Sequence, residues 1–245
     1  MRDIALVFSC EHAMNCVPAR FRGLFVDCPE LLQSHRGYDP GALDLAELLS
    51  QRFQTSLFVG EVTRLLVDHN RSPSNRNLWS VISRKLDSTE KKALLHNYYE
   101  PFRRAVAAEI ATLIESGKTV VHLSVHSFVP VLDDKERRAD IGLLYDSRSE
   151  PEKTLGKLWQ DRLRKENPAL RIRLNYPYRG RSDGHQTTYR NQYPPQAYLG
   201  LELEVNQAMV GSQHWLETKM NLVGTLKTAL QLFVSGSSIH VQGSL

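Results

Sequence analysis

The nine residues Val7-Phe8-Ser9-Cys10-Glu11-His12-Ala13-Met14-Asn15 decide how this chain reads. A hydrophobic strand signal from Ile4 to Phe8 stops at Cys10-Glu11-His12, and Pro18 follows soon after. An acid and an imidazole therefore stand just past the C-terminal end of a strand, the edge at which open α/β sheets grip their ligands. The run Val120-Val121-His122-Leu123-Ser124-Val125-His126-Ser127 repeats the arrangement, an apolar strand delivering a His-Ser pair. A third strand, Leu199 to Val205, ends in Leu203-Glu204-Val205-Asn206. Two histidines and a carboxylate at three strand ends are the ingredients of a metal-assisted hydrolase.

Outward from these strands, the pattern alternates. Ala42 to Leu49 carries apolar residues at helical spacing, starting near Pro40 with Asp39 as a possible N-cap. Leu57-Phe58-Val59 and Leu65-Leu66-Val67 read as strands, the second closing on Asp68-His69-Asn70-Arg71-Ser72-Pro73. Ser88 to Ser116 is helical, with Pro101 marking a break or a new start. Asp140 to Asp146 reads as a strand, Glu152 to Lys165 as a helix, and residues 175–184 as a loop dense in turn residues and arginines. His214 to Phe233 forms a closing helix. Strands and helices in this order predict a single α/β domain over residues 1–234, with a mixed, mostly parallel sheet covered by helices on both faces. The Ser/Gly-rich residues 235–245 read as a flexible tail.

Composition excludes several functions. A net charge of +4 without a Lys/Arg block argues against a nucleic-acid partner. No apolar run is long enough to span a bilayer, and the N-terminus has no long apolar leader, which predicts a cytoplasmic protein without a membrane partner. Three cysteines, an odd number, argue against a disulfide framework. Cys10 and Cys16 flank His12, but a zinc knuckle would need Cys-x-x-Cys spacing. The chain gives no signal between monomer and homodimer.

Period-two alternation puts His122, Ser124 and His126 on one strand face. His126 is nearer the crevice; His122 reads as a hydrogen-bonded core histidine. Glu202 and Glu204 likewise share a face, where a carboxylate is expensive unless paired with a cation. Glu204, nearer the strand end, is the candidate general base. Arginine clamps a carboxylate with two parallel hydrogen bonds, which makes Arg71 and Arg179 candidates for gripping an acidic substrate, whereas Arg181 reads as solvated.

The ordered succession SCEHAMNCVP, HRGYDPGALDLA, TRLLVDHNRSPSN, HSFVP, RADIGLLYD, NYPYRGRSDGH and LELEVNQ resembles the N-formylglutamate amidohydrolase family from about Ile4 to Gln207. The resemblance implies a fold like that of the zinc carboxypeptidases, a mixed sheet of about eight strands between helices. It implies removal of the formyl group from N-formyl-L-glutamate, or a similar small acidic N-acyl amino acid, during histidine breakdown, with Zn2+ as cofactor. Carried over residue by residue, His12 and His126 become zinc ligands. The carboxypeptidase pattern expects a glutamate three residues after the first histidine, where this chain has Asn15, so the third ligand falls to Glu11 or Asp39. Glu204 becomes the general base, Arg64 a partner for the oxyanion, and Arg71 and Arg179 the substrate clamps, with Asn70 and Tyr178 beside them. Two other readings stay open: a carboxypeptidase- or amidase-like hydrolase of larger peptides, and a metal-free binding protein, which Asn15 keeps in play. The charged Asp133–Arg138 loop has the length of a lid.

Overall fold

The computed structural model describes the backbone of residues 3–239 and side chains as far as residue 236. Strand β1 (Ile4–Cys10) is followed by a 3-10 turn at Ala19–Phe25, helices α1 (Pro29–Gln33) and α2 (Ala42–Phe53), and strand β2 (Leu57–Val59). A long irregular segment leads to α3 (Ser88–Leu94), a π-turn at Leu95–Tyr99 and α4 (Glu100–Glu115). Then come β3 (Thr119–Phe128), the short strands β4 (Val131–Leu132) and β5 (Lys135–Glu136), β6 (Ile141–Leu144) and α5 (Glu150–Glu166). The chain ends with β7 (Ile172–Leu174), α6 (His185–Gln192), β8 (Tyr198–Asn206) and α7 (Trp215–Ile239).

Six strands form one sheet in the order β2-β1-β3-β8-β6-β7, and β4 pairs with β5 as a separate hairpin. The neighbours β2, β1, β3 and β8 are mutually parallel; β6 runs antiparallel to β8 and parallel to β7. The mixed, mostly parallel sheet is as expected; among the described residues it holds six strands rather than about eight, and two more form the hairpin. β3 is buried along its whole length, with Val121, Leu123 and Val125 on one face and His122, Ser124 and His126 on the other. Alternation sorts the core into two layers. Phe8, Val121, Leu123, Val125 and Leu201 pack with α2, α5 and α7 through Leu45, Leu49, Trp159 and Leu226. Val7 and Val120 pack on the other face with Phe102, Val106 and Ile110 of α4 and Tyr189 of α6. His122, Ser124 and His126, one residue out of phase with Leu123, therefore point to the α4/α6 side.

Three local expectations are corrected. Leu65-Leu66-Val67 is a turn: Thr63 accepts the Leu66 N–H on its carbonyl and the Leu65 N–H on its hydroxyl, which bends the chain before a ladder can form. The three side chains are buried all the same, in a satellite cluster with Phe21, Leu78 and Leu94. Asp39 does not cap α2; Gly41, at φ +79°, occupies that position, which frees the Asp39 carboxylate. Helix α7 runs past the expected end at Phe233 to Ile239, and residues 240–245 of the expected tail lie outside the described residues.

Candidate active site

The C-terminal ends of β1, β3 and β8 lie side by side, as the parallel register requires. Between them and the loops that follow β2 and β7 lies a pocket of about 200 Å³. Its lining includes His12, Asp39, Arg64, His126, Glu202 and Glu204. Asn70, Arg71, Tyr178 and Arg179 line it as well, whereas Glu11, also expected at the site, does not.

Proton bookkeeping fixes how the two histidines face. His12 Nε2 lies 2.7 Å from Asp68 Oδ1, which also accepts the Asn70 N–H, so Nε2 carries the His12 proton. The Ser124 hydroxyl donates to Glu11 Oε2 at 2.5 Å, leaving its oxygen to accept from His126 Nε2 at 2.8 Å. Both rings thereby turn Nδ1 toward a single atom, Asp39 Oδ2, at 3.3 Å from His12 and 2.9 Å from His126. An imidazole lone pair facing a carboxylate oxygen is repulsive unless a cation or a proton lies between them.

The charge balance points the same way. Burial raises a carboxyl pKa, but the His126 and His185 hydrogen bonds outweigh it at Glu11 and hold it well below the carboxylate range. Asp39 is held down against its burial by His12, His126 and Arg64, and Asp68 by His12 and Arg64. Arg64 bridges Asp39 at 3.4 Å and Asp68 at 3.0 Å. Three buried carboxylates and one guanidinium leave a deficit of two positive charges, met by two imidazolium protons or by one divalent cation. His126 itself is drawn well above the imidazole range: burial, which lowers it, is overcome by Asp39 and Glu11. The donors of His12, Asp39 and His126 lie within 4.8 Å of one another. Two imidazole nitrogens and a carboxylate oxygen suit zinc, with an open side toward the pocket.

Glu204 completes the site. Its Oε2 is buried without a hydrogen-bond partner, and burial, reinforced by Asp39 and Glu202, pushes its pKa up to about 8. Arg179 is exposed and its side chain makes no hydrogen bond or ion pair among the described residues, and Arg71 gives one N–H to the Asp183 carbonyl at 2.6 Å.

A family model for N-formylglutamate amidohydrolase matches residues 4–210. The chain belongs to that family of amidohydrolases. The crystal structure of N-formylglutamate amidohydrolase from Ralstonia eutropha superposes with a TM-score of 0.76, covering 96% of each chain at 20% identity, and so shares the fold. A gene product of Agrobacterium tumefaciens superposes at 0.75 with 28% identity, over 98% of this chain and 92% of its own. Among curated proteins, none matches the sequence.

Within this family frame, several side chains fall where the sequence alone does not put them. Asn15, the position where carboxypeptidases have a glutamate, turns away and donates to the Leu32 carbonyl. Asp39 takes the place beside His12 and His126, while Glu11 reaches His126 from behind, Nε2 to Oε2 at 3.3 Å. Sequence reading misses Asp68 and His185, which hold His12 and Glu11; Asp68 is legible only as part of an Asp-His-Asn-Arg run. His69, in that same run, lies between Tyr99 and Phe102, and both its ring nitrogens are unpartnered. The three cysteines are free, and neither candidate metal group among the described residues contains one. The β4–β5 hairpin meets the rim through Arg137, which donates to the Tyr178 hydroxyl at 3.1 Å.

Proposed function

We propose that the protein is a zinc-dependent amidohydrolase that removes the formyl, or a related small acyl, group from N-formyl-L-glutamate or a similar acidic N-acyl amino acid. The observation that carries this reading is the convergence of His12 Nδ1, His126 Nδ1 and Asp39 Oδ2 at the floor of a pocket that also holds the unpartnered Glu204 carboxyl. A zinc ion held by these three residues would supply Lewis acidity to the acyl carbonyl and acidify the attacking water toward neutral pH.

The remaining work falls to the side chains. Glu204 takes the proton of the attacking water and passes it to the departing amine, and its role requires the ionised form. In the bare pocket burial keeps Glu204 protonated up to about pH 8. Positive charge beside it favours the carboxylate. Arg64 keeps Asp39 and Asp68 in place with two of its five N–H groups and offers the rest to the developing oxyanion, since it also lines the pocket. Arg71 and Arg179 pair with the substrate carboxylates, with Asn70 and Tyr178 beside them. A pocket of about 200 Å³ favours a single acylated amino acid over a peptide or cell-wall fragment.

The test combines elemental analysis of the purified protein with a deformylation assay on N-formyl-L-glutamate, N-formyl-L-leucine and an N-formylated tripeptide. One zinc per chain, lost in His12→Ala and His126→Ala together with activity, and a preference for the glutamate compound are expected. Absence of zinc in wild type, with no turnover after zinc is added back, would overturn the reading.

A further inference from the structure

Behind the cation centre lies a second buried cluster that the proposed reaction does not touch: Ser9, Glu11, His122, Ser124 and His185. Ligand atoms of Glu11, His122 and His185 lie within 4.8 Å of one another, so a second cation is the first reading to consider. The hydrogen bonds argue against it. Ser9 donates to Glu11 Oε1 at 2.7 Å, so its oxygen accepts from His122 Nε2, also at 2.7 Å. His122 Nδ1 then accepts from the Tyr198 hydroxyl at 2.9 Å. His185 Nδ1 gives its proton to Glu11 Oε1 at 2.9 Å, and its Nε2 accepts from the Tyr189 hydroxyl at 2.7 Å. Every donor finds an acceptor, and no imidazole or carboxylate lone pair of the cluster is left for an ion.

What the cluster does have is a direction. Glu11 receives His185 and Ser9 on one oxygen and Ser124 on the other, and that second oxygen lies 3.3 Å from His126 Nε2. The Glu11 carboxylate is fixed at both ends before it meets His126. His185 is also tied to the pocket, because its backbone N–H donates to Asn70 Oδ1 at 2.7 Å.

We propose that His185, at the head of α6, is a positioning residue for the cation centre: it holds Glu11 so that His126 keeps its proton on Nε2 and turns Nδ1 to the pocket. The proposal rests on reading His12, Asp39 and His126 as cation ligands. An outer carboxylate–histidine contact of this kind is worth 10–100-fold in metal affinity. Removing His185 leaves the three ligands intact and loosens the orientation of one of them.

The test is the zinc dissociation constant and stoichiometry of the full-length protein, measured by competition with a chromophoric chelator, beside urea denaturation of the metal-free forms. His185→Leu is expected to bind one zinc at least tenfold more weakly than wild type. His185→Asn, whose amide nitrogen can stand in for Nδ1, should recover most of the loss. Wild-type affinity in His185→Leu overturns the proposal, as does equal weakening in both variants, which would mark a merely structural role. Two zinc ions in wild type and one in His185→Leu would make the cluster a cation site in its own right and also overturn it. If His185→Leu does not fold, the near-isosteric Glu11→Gln decides, and unchanged affinity there refutes the positioning role. The measurement needs no substrate, so failed deformylation by zinc-loaded wild type would sink the substrate reading alone. Failure of wild type to bind zinc would sink both.

Discussion

Glu204 is the residue whose surroundings are least favourable to its own charge. Its carboxyl is buried, one oxygen has no partner, and its pKa is pushed up to about 8. An unpaired buried acid is a cost to the fold, which the proposed role as general base would account for. In the metal-free protein the folded form therefore binds a proton that the unfolded chain has lost. Stability contributed by the protonated form is fully present below about pH 4.5 and is lost as pH rises toward 8. Glu204→Gln removes that loss. The difference in melting temperature between variant and wild type, both stripped with chelator, should grow in favour of the variant from pH 5 to pH 8. With zinc restored, the same variant should retain metal and lose roughly 10²–10⁴ in kcat. A variant no more stable at pH 8 than at pH 5, relative to wild type, would refute the burial account. The positions of Glu204 and His126 are legible because each lies near a strand end and alternation gives its face, and that of His12 because it follows a strand directly. Asp39 is only half legible, since an acid before a proline and a helix also reads as a cap. Asp68 and His185 lie in irregular chain, where no periodicity tells which way a side chain points.

At the scale of elements, the pocket depends on loops approaching strands without side chains between them. Gly142 in β6 shows this most directly. A Cβ there would run into the Tyr176 carbonyl oxygen and come within 3.2 Å of the Glu204 Cβ. The loop that carries Tyr178 and Arg179 thus lies against β6 only because residue 142 has no side chain. Gly142→Ala should lower stability by about 1–3 kcal/mol, as overpacking does. In urea this appears as a lower midpoint at constant slope, and substrate KM should rise more than kcat falls, because the rim moves further than the floor. Unchanged stability would mean that the contact is slack. The strands β1, β3 and β8 are legible in the sequence because they are central and apolar. Leu65 to Val67 is equally apolar and misleads: its burial comes from a satellite cluster under a turn, and three residues are too few for periodicity to separate the two. The turn is what brings Asp68 within 2.7 Å of His12.

For the whole molecule, the proposed cation centre draws on segments far apart in the chain. The loop after β1 contributes His12, the loop before α2 contributes Asp39 and β3 contributes His126, while Asp68 and Arg64 come from the segment after β2. These pieces span nearly half the chain, and with the buried Glu11 their charges balance only with two further positive charges supplied. A divalent cation that binds the folded form and not the unfolded one stabilises it by RT ln(1 + [zinc]/Kd), about 2.7 kcal/mol at a hundred times Kd. In a chain of this length that corresponds to a rise in melting temperature of roughly 5–10 °C. Chelator should reverse the rise. Asp39→Asn, which keeps the shape and removes a ligand charge, should abolish most of it, whereas Arg179→Ala, at the exposed rim, should leave it intact. A zinc-dependent shift of the same size in Asp39→Asn would place the ion elsewhere. No shift in wild type would mean that no divalent cation supplies these charges.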